Sequence, residues 1–314
     1  MFKKILFATS ASPACDNAAR VAFDLARVHE AELTVFHVLG IPSHGFSQGV
    51  QDYRSGNLEV LSSDYTDWVL EELRHLYEKQ LKTYTNCLFE VATGIPSREI
   101  LRMARKIDAD CIILGAHTSD EDVAISKYRS IVGNTLRKVS KAAKCPVLIV
   151  NRPCMTCWNY FTHIVVGVDF SKPSDAAFQF ALQTAKDLQS SLHIFHALDL
   201  NHLHPGIVPD QETIEKAIAG AQKKLEYHYL SRLGDFEDAT YDIREGVPFV
   251  EILKFAREKE ADLIVMAHHA KDADLDEADM GSTVEQVVLR SACPVANVNR
   301  SPGREASPEQ THKH

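Results

Sequence analysis

The segment Ile5-Leu6-Phe7-Ala8-Thr9-Ser10-Ala11-Ser12 returns 159 positions later as Ile164-Val165-Val166-Gly167-Val168-Asp169-Phe170-Ser171. The same offset carries Leu33-Thr34-Val35-Phe36-His37-Val38-Leu39 onto Leu192-His193-Ile194-Phe195-His196-Ala197-Leu198. Farther on, Gly94-Ile95-Pro96 matches Gly246-Val247-Pro248 and Ala109-Asp110 matches Ala261-Asp262 at an offset of 152, so the first copy has gained seven residues between His37 and Gly94. Gly133 pairs with Gly281, and Cys145-Pro146-Val147 with Cys293-Pro294-Val295, at 148, which places four more extra residues of the first copy after His117. The chain is one unit written twice, and that repetition settles the architecture before any local motif is weighed.

Within each copy, strand and helix alternate. Ile5–Thr9 is a short β-rich run, after which Ala18, Val21, Ala22, Leu25 and Ala26 recur at helical spacing. Leu33–Leu39 is the next strand. A long helix follows in which Leu61, Tyr65, Val69, Leu73, Leu76 and Tyr77 share a face, matched by Ile214, Ile218, Ala221, Leu225 and Tyr229 in the second copy. A strand near Leu88–Val91, a helix opened by Pro96, the strand Cys111–Leu114, a helix after Gly133 and the strand Pro146–Val150 complete the unit. Short, fully apolar strands and Pro in a first helical turn suit a parallel sheet covered on both faces. The fold class is therefore α/β: two domains, each a five-stranded parallel sheet with helices on both faces, related by a pseudo-twofold. The bounds are residues 1–152 and 162–300, with 153–161 a linker and the polar 301–314 a tail expected to be disordered. The final strands share the ending Val-x-x-Val-Asn-Arg (Val147, Val150, Asn151, Arg152; Val295, Val298, Asn299, Arg300), and an unpaired apolar edge invites aggregation, so an intramolecular pseudo-dimer through these edges is predicted.

Composition narrows the function. A chain of 314 residues with 34 Lys and Arg against 43 Asp and Glu carries a net charge of −9, which leaves no basic excess for a phosphate backbone and argues against nucleic acid. Apolar runs such as Cys111–Gly115 and Ile164–Val168 are far shorter than the roughly 20 residues of a membrane span. The start, Met1-Phe2-Lys3-Lys4-Ile5-Leu6, reaches Thr9-Ser10 too soon for a signal-peptide core. Seven scattered cysteines, an odd count, fit reduced thiols, so a cytoplasmic location is expected.

Six features occur in order, twice: the first strand ending in Val168-Asp169-x-Ser171, the second ending in Phe-His, the Gly-x-Pro turn, the Ala-Asp-x-Ile strand, the Gly-(Ser/Asn)-Thr helix start and the Cys-Pro-Val last strand. Together they resemble the universal stress protein family in tandem form, over residues 3–152 and 162–300. The resemblance implies two Rossmann-like (adenine nucleotide alpha hydrolase-like) domains and, in one subclass, ATP with Mg²⁺ at the carboxyl ends of the strands. That subclass is similar to Gly-x-x-Gly-x9-Gly-(Ser/Thr), where glycines admit phosphates to backbone amides and the last pair opens a helix.

The chain keeps this pattern in part. The second copy has Ala267, Ala270, Gly281 and Ser282, with ten intervening residues, and Asp169 at the position that contacts ribose in the family. The first has Gly115, Thr118, Gly133 and Asn134, with fourteen intervening residues, and Ser10 in place of the aspartate. Val38 and Ala197 follow the second-strand histidine, where family members wall the adenine. Two readings stand: both copies are nucleotide-free scaffolds, or one degenerate site survives. In the second reading the site is expected in the second copy, around Asp169, Ala197, Ala267, His269, Ala270, Gly281, Ser282 and Thr283. The second choice is Ser10, Val38, Gly115, Thr118, Gly133, Asn134 and Thr135.

Cys154-Met155-Thr156-Cys157 has the spacing of a redox pair or half a zinc site, but a second Cys-x-x-Cys is missing and the plain reading is a linker feature. His37 and His196 read as satisfied strand-end histidines. Neither first strand is followed by a Ser-Gly-Gly-x-Asp-Ser loop, and the repeat places no Ser-His-Asp set or paired carboxylates. A non-enzymatic stress protein is expected, with weak ATPase activity and a homodimer of chains left open.

Overall fold

The computed structural model describes residues 2–42, 49–52, 57–60, 62–116, 133–151, 161–200, 210–267 and 282–299. The first half contributes β1 (Lys4–Thr9), β2 (Glu32–Val38), three short strands β3 (Gly40–Pro42), β4 (Gly49–Asp52) and β5 (Leu58–Val60), then β6 (Cys87–Ala92), β7 (Cys111–Gly115) and β8 (Val147–Val150). The second contributes β9 (His163–Gly167), β10 (Ser191–Leu198), β11 (Ala239–Glu245), β12 (Leu263–Met266) and β13 (Val295–Asn297). The long helices are α1 (Asp16–His29), α2 (Ser63–Leu76), α3 (Pro96–Ile107), α4 (Asn134–Ala142), α5 (Lys172–Leu188), α6 (Gln211–His228), α7 (Pro248–Glu258) and α8 (Ser282–Arg290).

Ten strands form one sheet in the order β11-β10-β9-β12-β13-β8-β7-β1-β2-β6. Each half is thus five parallel strands in the order third, second, first, fourth, fifth, as expected for a doubly wound domain. The halves meet through β8 and β13, which pair antiparallel with Val147 opposite Asn297, Leu148 opposite Ala296 and Ile149 opposite Val295. The sequence reading missed β3, β4 and β5, a separate antiparallel sheet within the part of the first copy that carries the insertion.

Two apolar clusters sandwich the sheet, and each draws residues from both halves. Ala18, Val21, Ala22, Leu25 and Ala26 of α1 are all buried, as their spacing requires. In α2 Val69 and Leu73 are buried and Tyr77 follows them inside, but Leu76, predicted on the same face, is exposed. The Gly-x-Pro turn is explained by its backbone. Gly94 and Gly246 take φ of +140° and +144°, and a Cβ on either would stand 2.8–2.9 Å from the side chain of Glu99 or Glu251. Pro96 and Pro248 then supply the first helical turn of α3 and α7. The repeated Ala-Asp pair has a mechanical role. Asp110 accepts hydrogen bonds from the Lys3 and Lys4 amides at 2.7 and 2.8 Å, and Asp262 does the same for Thr162 and His163 at 2.6 and 3.1 Å, tying the start of β1 and β9 to the neighbouring strand.

Candidate functional site

The order of each half reverses between its first and fourth strands, and the crevice outside their carboxyl ends is where such sheets hold ligands. In the first half that crevice is a cavity of about 460 Å³. Its floor is Ala8, Thr9 and Ser10 at the end of β1, Phe36, His37 and Val38 at the end of β2, and Leu114 and Gly115 at the end of β7. Its walls are the first turns of α3 (Ile95, Pro96, Ser97, Ile100) and α4 (Gly133, Asn134, Thr135, Leu136, Lys138), with Cys15 beside Ser10.

The polar groups on this floor are held by local geometry. The backbone carbonyl of Thr9 lies 2.9 Å from His37 Nδ1, and the Val168 carbonyl lies 2.8 Å from His196 Nδ1, so both strand-end histidines are satisfied by the strand beside them. Burial pulls the His196 pKa below the ordinary histidine value. Thr9 Oγ1 is 2.6 Å from the Tyr77 hydroxyl, whose pKa burial pushes upward. Ser10 Oγ lies 2.9 Å from Ser12 Oγ and 3.2 Å from Cys15 Sγ. The α4 N-terminus has no side-chain cap from Gly133, whose φ of −57° any residue could adopt. Among the described residues, a Cβ at Gly133 would meet nothing within 4 Å.

Of the residues singled out in the first copy, Ser10, Val38, Gly115, Gly133, Asn134 and Thr135 line this one cavity, while Thr118 falls outside the described residues. Lys138 also lines it and was not anticipated. Its signal was available, since a cation three residues after Thr135 sits one turn into the helix that Gly133-Asn134-Thr135 opens. Ser97 and the apolar Ile95 and Ile100 were likewise missed, because only the turn of the chain at Pro96 brings them to the strand ends, and Cys15 was missed because the turn after β1 folds it back beside Ser10.

The equivalent crevice of the second half differs in chemistry. Ile252 Cδ1 lies where a Cβ on Gly167 would be, only 2.6 Å from it. Phe249 replaces Ser97, packs on the apolar cluster and carries the Arg290 guanidinium 5.3 Å from its ring. Asp169 is exposed, and its Oδ1 accepts a hydrogen bond from the Ser171 amide at 3.0 Å, a contact that shapes the turn into α5. Ala197 and Ala267 are half-buried at the ends of β10 and β12, Ser282 is exposed at the start of α8, and Thr283 is half-buried after it. His269, Ala270 and Gly281, and the linker Cys154 and Cys157, lie outside the described residues. Among the described residues no three His, Cys, Asp or Glu side chains are grouped to hold a metal, and no helix is long and apolar enough to cross a membrane.

Two doubly wound halves joined edge to edge in one ten-stranded sheet, each with a crevice at its switch point, define a tandem Rossmann-like α/β protein. The universal stress protein family profile matches residues 1–151 and again 161–299, and the chain belongs to that family. It is 27% identical over 159 residues to universal stress protein MJ0531 of Methanocaldococcus jannaschii, a match spanning 49% of this chain and 84% of the relative. It is also 27% identical over 153 residues to universal stress protein YxiE of Bacillus subtilis, spanning 48% of this chain and 99% of that protein. Both relatives are one domain long, as half of a tandem requires. Among solved structures, a universal stress protein from Archaeoglobus fulgidus shares the fold at a TM-score of 0.64 and 21% identity, covering 95% of this chain and 97% of that one. A protein of unknown function from Pseudomonas aeruginosa, PA1789, does so at 0.61 and 18%, covering 95% and 93%.

Proposed function

We propose that this universal stress protein binds one adenine nucleotide per chain, without turning it over, in the crevice of its first domain. The observation that carries the reading is the cavity of about 460 Å³ at the β1/β7 switch point. Its volume is in the range of small-molecule pockets, and its lining combines apolar side chains with the first turn of α4 and its lysine. Val38, Ile95 and Ile100 suit a base, Ser10 suits a ribose hydroxyl, and the α4 N-terminus with Lys138 suits phosphate. No Asp or Glu is among the described lining residues, so Mg²⁺ would reach the site on the phosphates.

This choice moves the site from the second copy, where the aspartate and the Gly-Ser-Thr start pointed, to the first. The supporting contrast is that the bulky Phe249 stands in the second domain at the position that the small Ser97 holds on the wall of the first cavity. Calorimetric titration with ATP and Mg²⁺ is expected to give a stoichiometry near one, weakened at least tenfold by Lys138→Glu and unchanged by Asp169→Ala. Binding that fails in Asp169→Ala returns the site to the second domain, and an absence of heat at millimolar ATP leaves the chain a nucleotide-free scaffold.

A further inference from the structure

The seam between the domains has a local twofold axis that the residue numbers reveal. Leu148 and Ala296 are equivalent positions of the two copies, offset by 148, and they are also each other's partners in the sheet. The axis therefore passes between them. Arg137 of α4 and Glu285 of α8 are equivalent by the same offset, and they form an ion pair across the seam, with side chains only 28% and 13% exposed. Asn151 and Asn299 are equivalent too. Asn151 Nδ2 donates to the carbonyls of Val288 and Leu289 at 3.2 and 2.9 Å, capping the end of α8, and Asn299 Nδ2 donates to Ser140 and Lys141 of α4, the latter at 3.1 Å.

These contacts divide into two kinds. The asparagine clasps obey the twofold, so they would form equally well if a domain met a copy of itself. The axis positions do not obey it. A first domain paired with another first domain would set Arg137 against Arg137 and Leu148 against Leu148, crowding both. Two second domains would set Glu285 against Glu285 and leave a gap at Ala296. Like charges in so little solvent repel strongly, and overpacking and cavities each destabilise a buried contact.

We propose that the Arg137/Glu285 and Leu148/Ala296 positions make each domain's pairing surface select the unlike domain and reject its own kind. The partner that this surface fits is an apolar strand edge flanked by a helix of opposite charge at the axis, and a second copy of the same domain is excluded by charge and by volume. The asparagines hold whatever is paired, and the axis residues choose it.

Single substitutions in the full chain reproduce each forbidden contact. Arg137→Glu builds the Glu/Glu contact of two second domains, and Glu285→Arg builds the Arg/Arg contact of two first domains. Thermal unfolding is expected to show both variants roughly 4–10 °C below the parent. The exchanged double variant Arg137→Glu, Glu285→Arg should recover to within about 2 °C. Arg137→Gln removes the attraction without adding repulsion and should fall between Arg137→Glu and the parent. Leu148→Ala and Ala296→Leu should each melt low, with partial recovery in the exchanged pair. If both single reversals fail to fold while the double reversal folds, the inference stands. If Arg137→Glu melts with Arg137→Gln, or the double reversal stays as low as the singles or also fails to fold, the axis does not discriminate and the inference is overturned.

Discussion

At the scale of single residues, the buried histidines set how the protein meets acid. His193 lies in β10 with Nδ1 2.8 Å from Thr240 Oγ1 and its ring stacked on His163 at 5.9 Å. Burial, reinforced by Lys259 and His163 and opposed by Asp238, pulls its pKa from 6.5 to about 4. The folded protein keeps this ring neutral at pH values where the unfolded chain has already taken up a proton. Stability is therefore complete above about pH 6.5 and falls as the pH drops toward 4, by up to about 3 kcal/mol from this residue alone. Urea unfolding at pH 7, 5.5 and 4.5 should show a shallower loss in His193→Gln than in the parent, with a remainder from His196 and His29, whose values burial also lowers. Equal slopes would place the acid sensitivity elsewhere. His37 and His196 were legible in the sequence as satisfied strand ends, since a histidine closing an apolar strand needs a carbonyl to bond. His193 was not, because its neighbours Thr240 and Lys259 come from other elements and no local pattern joins them.

Helix ends carry the next prediction. α1 and α5 both stop in the left-handed conformation on a residue with a side chain, Glu30 at φ 52° and Gln189 at φ 55°. The repeat preserves this strained position in both copies, and glycine adopts it without the steric cost. Glu30→Gly and Gln189→Gly should each stabilise the protein by about 1 kcal/mol. Because they lie in different domains, their effects should add to within roughly 0.5 kcal/mol in a denaturant titration of the double variant. A loss of stability in either would mean that its side chain contributes more than its backbone costs. Helices and parallel strands of this kind could be read from apolar periodicity, as the burial of Ala18, Val21, Ala22, Leu25 and Ala26 in α1 shows. β3, β4 and β5 could not. They are three or four residues long and include Gly40, Pro42 and Gly49, too short for an alternating pattern to register. The crevice was half legible for a related reason: Ser10, Val38 and Gly133 belong to repeated motifs, whereas Ile95 and Ile100 acquire their role only once the helix opened by Pro96 comes to the strand ends.

Across the whole molecule, both apolar clusters run through both halves, and Phe2 of the first half packs 6.4 Å from Phe180 of the second. The chain should therefore unfold as one cooperative unit despite containing two domains. Differential scanning calorimetry is expected to give a single transition whose van't Hoff and calorimetric enthalpies agree, and two resolved peaks would show that the seam yields before either domain does. The repeat announced two domains, and their shared final motif pointed to the edges that meet, but the clasp of Asn151 and Asn299 depends on which carbonyls end a helix in the other copy. The antiparallel pairing of β8 with β13 also bears on how the chain is made. Each is the last strand of its own domain, so a first domain leaving the ribosome presents β8 bare until nearly 150 further residues have been translated. At 5–20 residues per second that interval is roughly 7–30 s. Throughout it the nascent chain displays the apolar edge Val147-Leu148-Ile149-Val150, a natural hold for a chaperone that must let go when β13 arrives.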